Sequence, residues 1–232
     1  MQRHQLPELT QRRFRIATVA LAAVAAVVVW TVANQVFPYH SLNHDEGVYL
    51  QQAAMLLDGQ LSLHPPVDGA FRPWFFVEDG DRLYPKYGPI PAAMFAVGKL
   101  AGGYRLALAA IAAGNVALVV GVARELFDRR TALLAGGLVI ASPLYLIDSS
   151  VFLPYAPTTL WNLLFAYGYL RADRTGDRRW ALSPASASLW PSSRGPTPRC
   201  CSRCRSSVTR CGRWRVTGGR RSPDRPSSPE SD

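Results

Sequence analysis

Cysteine is missing from residues 1–182; all four, Cys200, Cys201, Cys204 and Cys211, fall in the remainder. The longer part of the chain therefore has neither a disulfide framework nor a thiolate metal centre. Acid is scarce as well, with 16 Asp and Glu against 26 Lys and Arg and a net charge of +10. That excess is unevenly spread. Residues 1–182 hold 16 basic and 13 acidic side chains, a net of +3, whereas residues 183–232 hold 10 Arg and 3 acids, a net of +7. The mean hydropathy of +0.01 averages two unlike compositions: an apolar body and a tail crowded with Ser, Pro and Arg. A single soluble globular domain is excluded, because the apolar residues gather in runs long enough to cross a bilayer.

The body reads as a polytopic all-α membrane protein. Residues 16–36, IATVALAAVAAVVVWTVANQV, carry no charge over about the length a helix needs to cross ~30 Å of hydrocarbon. Arg12, Arg13 and Arg15 precede them, which predicts a cytoplasmic N-terminus, 1–15. A cleaved signal peptide, with Ala33 before the cut, is the rival reading; the run exceeds the usual signal core of about 7–15 residues, so an uncleaved anchor is preferred. Further spans are predicted over 104–122, 131–147 and 155–170. The basic groups Arg124, Arg129 and Arg130, and then Arg171, Arg174, Arg178 and Arg179, fall on the inside of that four-span topology. Helices follow from the continuous apolar runs, since a strand would alternate.

One large outside loop, about 37–103, remains. Asn43 or Asp45 can cap a surface helix with Val48, Leu50, Ala54 and Leu57 on one face, Gln51, Gln52 and Asp58 on the other, and Gly59 as its stop. Residues 71–77 and 83–84 flank Glu78-Asp79-Gly80-Asp81, a hairpin pattern. Pro89 and Pro91 then open a short apolar helix, 92–100, read as re-entrant or lying on the surface.

The chemistry-bearing residues sit in this loop. Asp45 and Glu46 follow the first span within about ten residues. They suit a solvated helix N-terminus, and equally a general base for an acceptor hydroxyl or amine, with or without a divalent metal shared with Glu78, Asp79 or Asp81. His40, His44 and His64 have spacings that fit no compact ligand set. Asp148 reads as an interfacial acid at a span end, and Arg72, Arg82, Lys86 and Arg105 as outside cations for a lipid phosphate or head group. The pairs Gly102-Gly103 and Gly136-Gly137 read as a hinge and a helix contact.

The order of these features resembles the GT-C membrane glycosyltransferases, in particular the branch with protein O-mannosyltransferases and lipid A aminoarabinose transferases. The matching elements are DEGVYLQQAAMLLDGQ after the first span, Tyr84-Pro85-Lys86-Tyr87-Gly88-Pro89, and ARELFDRRTALLAGGLVIASPLYL over 123–146. Together they cover about residues 14–182. The resemblance implies a sugar donor on a polyprenyl or dolichyl phosphate and transfer on the outer face of a cell membrane. It makes Asp45 the expected base, accompanied by Glu46; Tyr84, Lys86 and Tyr87 of the matched stretch, with the outside cation Arg82 next to it, are the candidate substrate-binding residues. The acid that many members carry at the start of the fourth span is replaced here by Tyr155. The sugar, the acceptor and any metal stay open. A non-catalytic membrane protein or permease fragment is the alternative, although transporters place essential polar groups at broken helices inside the bilayer.

Residues 183–232 read as a low-complexity, disordered tail. The cysteines lack a second ligand pair, and aromatic residues are too few for a nucleic-acid surface, so no nucleic-acid partner is expected. Codon structure offers a sharper reading. Shifted by one base, typical GC-rich Arg, Cys and Ser codons become Ala, Leu, Val and Phe codons, and 193–215 can be re-read as an Arg-Pro-Tyr entry followed by an apolar run. A frameshift near 181–184 would have truncated a longer enzyme and left this chain with part of its donor site. Sequencing the coding DNA from the codon of Arg179 past the stop is expected to reveal one base gained or lost, with apolar spans continuing in the restored frame; an intact frame contradicts this.

Overall fold

The computed structural model describes residues 9–65, 67 and 73–180. The basic tail, its cysteines and Arg72 lie outside the described residues. Those described form seven α-helices and one β-hairpin: α1 (Gln11–Gln35), α2 (His44–Leu57), β1 (Phe76–Asp79), β2 (Arg82–Pro85), α3 (Pro89–Leu100), α4 (Tyr104–Leu126), α5 (Arg129–Ile140), α6 (Pro143–Ser149) and α7 (Tyr155–Thr175). α1 and α4 are long and apolar enough to cross a membrane, and α5 with α6 supplies a third crossing if the bent pair is one span. The chain is thus a mostly helical protein of membrane character. α7 has spanning length, but its Thr, Asn, Trp and Tyr residues and the charged Arg-Ala-Asp-Arg turn near its end make it less apolar.

Several helix ends have a local cause. Thr10 caps α1 by accepting from the Arg13 amide at 3.4 Å, so the arginines expected before the first span are part of its first turns. Asn43 caps α2, accepting from the Asp45 amide at 3.0 Å. Asp128 caps α5, accepting from the Arg130 amide at 2.9 Å. Gly176 ends α7 in the left-handed region, φ +70°.

The third expected span is not one continuous helix. α5 stops at Ile140 and α6 starts at Pro143, with the axes 67° apart. Proline lacks an N–H and pushes the preceding residue out of the helical region. Ser142 accordingly sits at ψ 113°, and its hydroxyl accepts from the Tyr145 amide at 3.4 Å.

α1 and α4 form the central pair. Ala25, Val29 and Ala33 recur every four residues on the buried side of α1, while Val19 and Val27 on the opposite side are exposed. A helix apolar all round suits lipid, where close packing of small residues replaces the hydrophobic drive between helices. Gly98 of α3 lets α4 approach so closely that a methyl group there would stand 2.8 Å from the Ala107 amide nitrogen; Gly136 of α5 similarly meets Val120. Asn115, buried in α4, donates to the Ala156 carbonyl of α7 at 3.1 Å. Polar ties of this kind hold helices in register where lipid offers no competing water.

Arg105 is a correction to the sequence reading. Instead of standing free for a phosphate, it donates to Asn34 Oδ1 and the Phe37 carbonyl, each at 3.0 Å, and to the Pro38 carbonyl. One guanidinium thereby satisfies carbonyls left over at the end of α1 and fastens them to the start of α4.

The segment between α1 and α4 follows the predicted order of helix, hairpin and short helix. The hairpin pairs Phe76 with Pro85 through Asp79 with Arg82, and Gly80 at φ +62° makes the turn. Phe76 and Leu83 pack on Val48 and Met55 of α2. α2 is rotated from its expected orientation: Gln52 is buried with Tyr49 and Ala53, whereas Ala54 and Leu57 are exposed. A hydrogen-bonding demand on Gln52, described next, outweighs the burial of Leu57.

Candidate functional site

The Asn43 cap starts α2 so that Asp45 and Glu46 occupy its first turn, where amide groups and the helix dipole favour negative charge. Their surroundings are opposite in kind. Glu46 is only 1% exposed. Its Oε1 accepts from the Ser41 amide at 3.0 Å and from the Ser41 hydroxyl, and its Oε2 accepts from the Phe152 amide at 3.2 Å. Burying a carboxylate is costly without such donors, and hydrogen bonds to a charged group are each worth about 1.5–3 kcal/mol. Glu46 thus clamps the linker after α1 and the loop after α6 onto the start of α2, an enclosed position that gives an acceptor no access.

Asp45 is half-buried. Its Oδ1 accepts from the Tyr87 hydroxyl at 3.0 Å, and its Oδ2 has no partner among the described residues. Tyr87 is held from two further sides. Its carbonyl accepts from Gln52 Nε2 at 3.1 Å, and its ring stacks on Tyr49 with centroids 5.2 Å apart. Asp45, Tyr49 and Gln52 follow one another at i, i+4 and i+7, so one face of α2 grips the Tyr-Pro-Lys-Tyr-Gly-Pro stretch. Phe75, a non-glycine residue at φ +58°, closes the arrangement: its carbonyl accepts from the Lys86 amide at 2.9 Å and its ring lies 5.8 Å from that of Tyr87. So bulky a residue is strained at positive φ and is held there by its surroundings.

Lys86 is exposed, with Nζ 5.7 Å from the centre of the Phe75 ring. Tyr155, the first residue of α7, is 59% exposed and close enough to raise the cost of ionising Tyr49 and Tyr87. Burial, first, and then Tyr87, Asp45 and Tyr155 push the Tyr49 hydroxyl up to about 12. Tyr87 is raised by burial and by donation to Asp45. The arrangement is an accessible carboxylate oxygen beside a tyrosine cluster, with one ammonium at its rim.

Of the residues singled out from sequence, Asp45 and Tyr87 are in contact and Lys86 adjoins them through Phe75. Tyr84 and Arg82 stand exposed on β2, and no hydrogen bond, ion pair or ring contact joins them to Asp45 among the described residues. Arg82 instead faces Asp81 at 3.8 Å. His44 stacks on Trp74 with centroids 5.3 Å apart, and His40 bonds through Nδ1 to the Ser41 carbonyl at 2.7 Å. Among the described residues no three His, Cys, Asp or Glu side chains converge, so a divalent ion has no chelating set there. Sequence reasoning missed Ser41, Gln52, Phe75 and the proximity of Tyr155. Only Gln52 left a usable signal, its seven-residue offset from Asp45.

Comparison of the chain with family models, with curated proteins and with solved structures gave no match.

The raised Tyr49 hydroxyl makes stability depend on alkaline pH. Below about 10, the ordinary tyrosine value, both folded and unfolded forms keep the proton. Between there and the folded value of about 12 only the unfolded chain releases it, so stability falls across that window. Thermal unfolding in neutral detergent is expected to show this fall for the native chain and a flatter profile for Tyr49→Phe; identical profiles would contradict the assignment.

Proposed function

We propose that residues 16–182 are the N-terminal region of a GT-C-like membrane glycosyltransferase. In this reading four helical spans are formed by α1, α4, the bent α5–α6 pair and α7. The N-terminus is cytoplasmic and the segment between α1 and α4 lies outside. The frameshift reading of the tail belongs to the same proposal, so activity is sought in the frame-restored protein.

The observation that carries the reading is the 3.0 Å hydrogen bond from Tyr87 to Asp45. It joins the acid of the first loop to the Tyr-Pro-Lys-Tyr-Gly-Pro stretch, 42 residues away, two elements that only the family resemblance connects. The chemistry is transfer of a sugar from a polyprenyl- or dolichyl-phosphate donor to an acceptor hydroxyl or amine. Asp45 Oδ2 takes the acceptor proton while Tyr87 fixes Oδ1. The acceptor atom forms a bond to the anomeric carbon, the bond from that carbon to the phosphate oxygen breaks, and the electron pair leaves with the lipid phosphate. Lys86, exposed beside the cluster, offers its ammonium to that phosphate. Glu46 acts as a positioning residue, and Tyr84 and Arg82 line the approach.

Membranes carrying the frame-restored protein are expected to move labelled sugar from a polyprenyl-phosphate donor to acceptor material. Asp45→Asn is expected to reduce transfer by about a hundredfold or more, the usual range for loss of a general base, with membrane insertion unchanged. Undiminished transfer in Asp45→Asn contradicts the base assignment, and absence of transfer in the parent protein favours a non-catalytic membrane role.

A further inference from the structure

Near the C-terminal end of α4 lies a cavity of about 430 Å³ between α1, α4 and α7. Four arginines line it: Arg15, Arg124, Arg171 and Arg174. The one acid in its wall among the described residues, Glu125, has a side chain only 6% exposed and accepts from Arg171 at 2.9 Å and from Arg174 at 3.0 Å. Each of its oxygens orients one guanidinium and leaves that group other N–H donors. Arg171 Nε is buried with no acceptor among the described residues. Among the described residues Arg15 and Arg124 make no ion pair, and Arg124 donates to the Phe127 carbonyl at 3.2 Å. Tyr167 and Thr18 complete a polar wall.

Four guanidinium groups around one acid leave an excess of positive charge that attracts an anion. Guanidinium forks match phosphate oxygens in geometry and charge. Basic pockets between membrane helices are suited to anionic head groups. We infer that this cavity is a binding site for a phosphate group, carried by an anionic lipid of the surrounding leaflet or by a free phosphate compound. The site is separate from the Asp45 cluster. It depends on α1 and α4 spanning a membrane but not on glycosyl transfer.

The full chain in neutral detergent, titrated with short-chain phosphatidylglycerol, phosphatidylcholine or inorganic phosphate and read by native mass spectrometry, tests this. Phosphatidylglycerol is expected to bind in preference to phosphatidylcholine, and Arg15→Gln with Arg124→Gln to weaken it about thirtyfold, the loss of two basic contacts. The paired Arg15→Lys and Arg124→Lys variant is expected to retain most of the binding. If the double Gln variant does not fold, Arg15→Gln alone, at an exposed position, is expected to cost about fivefold. Inability of inorganic phosphate to displace the lipid identifies a membrane head group; displacement at similar concentration identifies a free phosphate compound, and either upholds the site. Equal binding of both lipids with no phosphate binding overturns it. So does an equal loss on replacing Arg12 and Arg13, which lie outside the cavity, because diffuse surface charge would then explain the preference.

Discussion

The carboxylate of Glu46 is the constraint on which the rest of the site depends. It draws together three stretches of chain that share no continuous secondary structure: the linker holding Ser41, the first turn of α2, and the loop holding Phe152. The Phe152 amide that reaches it is buried and would otherwise be unpaired. Phe152 in turn packs edge-on against Phe95 of α3, with centroids 5.4 Å apart. The buried acid thus holds the start of α2 in place, and Asp45, Tyr49 and Gln52 along that helix meet Tyr87.

Two neighbouring acids consequently divide their work by environment. Glu46 is enclosed and satisfied, whereas Asp45 keeps one oxygen without a partner among the described residues, beside aromatic rings and an exposed ammonium. At the opposite end of α4, Glu125 resembles Glu46 in being buried and doubly bonded, but its partners are arginines, so that end collects positive charge. One helix bundle therefore carries an acidic, tyrosine-rich site and a basic cavity, both organised by a buried carboxylate.

Much of the fold was legible in the sequence because its signals are local. Uncharged apolar length marks α1 and α4, Asn43 marks the start of α2, Gly80 marks the hairpin turn, and the proline pair marks α3. The break between α5 and α6 was legible too, in Ser142-Pro143, but the apolar content on both sides masks it when hydropathy alone is followed. The site was legible only in its parts. Asp45 and Tyr87 each stand in a recognisable stretch, yet nothing local states that a hydroxyl and a carboxylate so far apart in sequence will meet. The partners of Glu46 and Arg105, which stand in the first turns of α2 and α4, are backbone groups distant in sequence, so nothing local reveals them. Gln52 was assigned to the exposed face because hydropathy ranks Leu57 above it, while the Tyr87 carbonyl reverses that order.

The clamped α2 brings Asp45 and Tyr87 into direct interaction. A double-mutant cycle on unfolding stability in neutral detergent, using Asp45→Asn and Tyr87→Phe separately and together, tests it most directly. A coupling of about 1 kcal/mol is expected for a partly exposed hydrogen bond to a carboxylate. Effects that add to within about 0.3 kcal/mol would mean the two groups act independently, and the site would lose its defining contact.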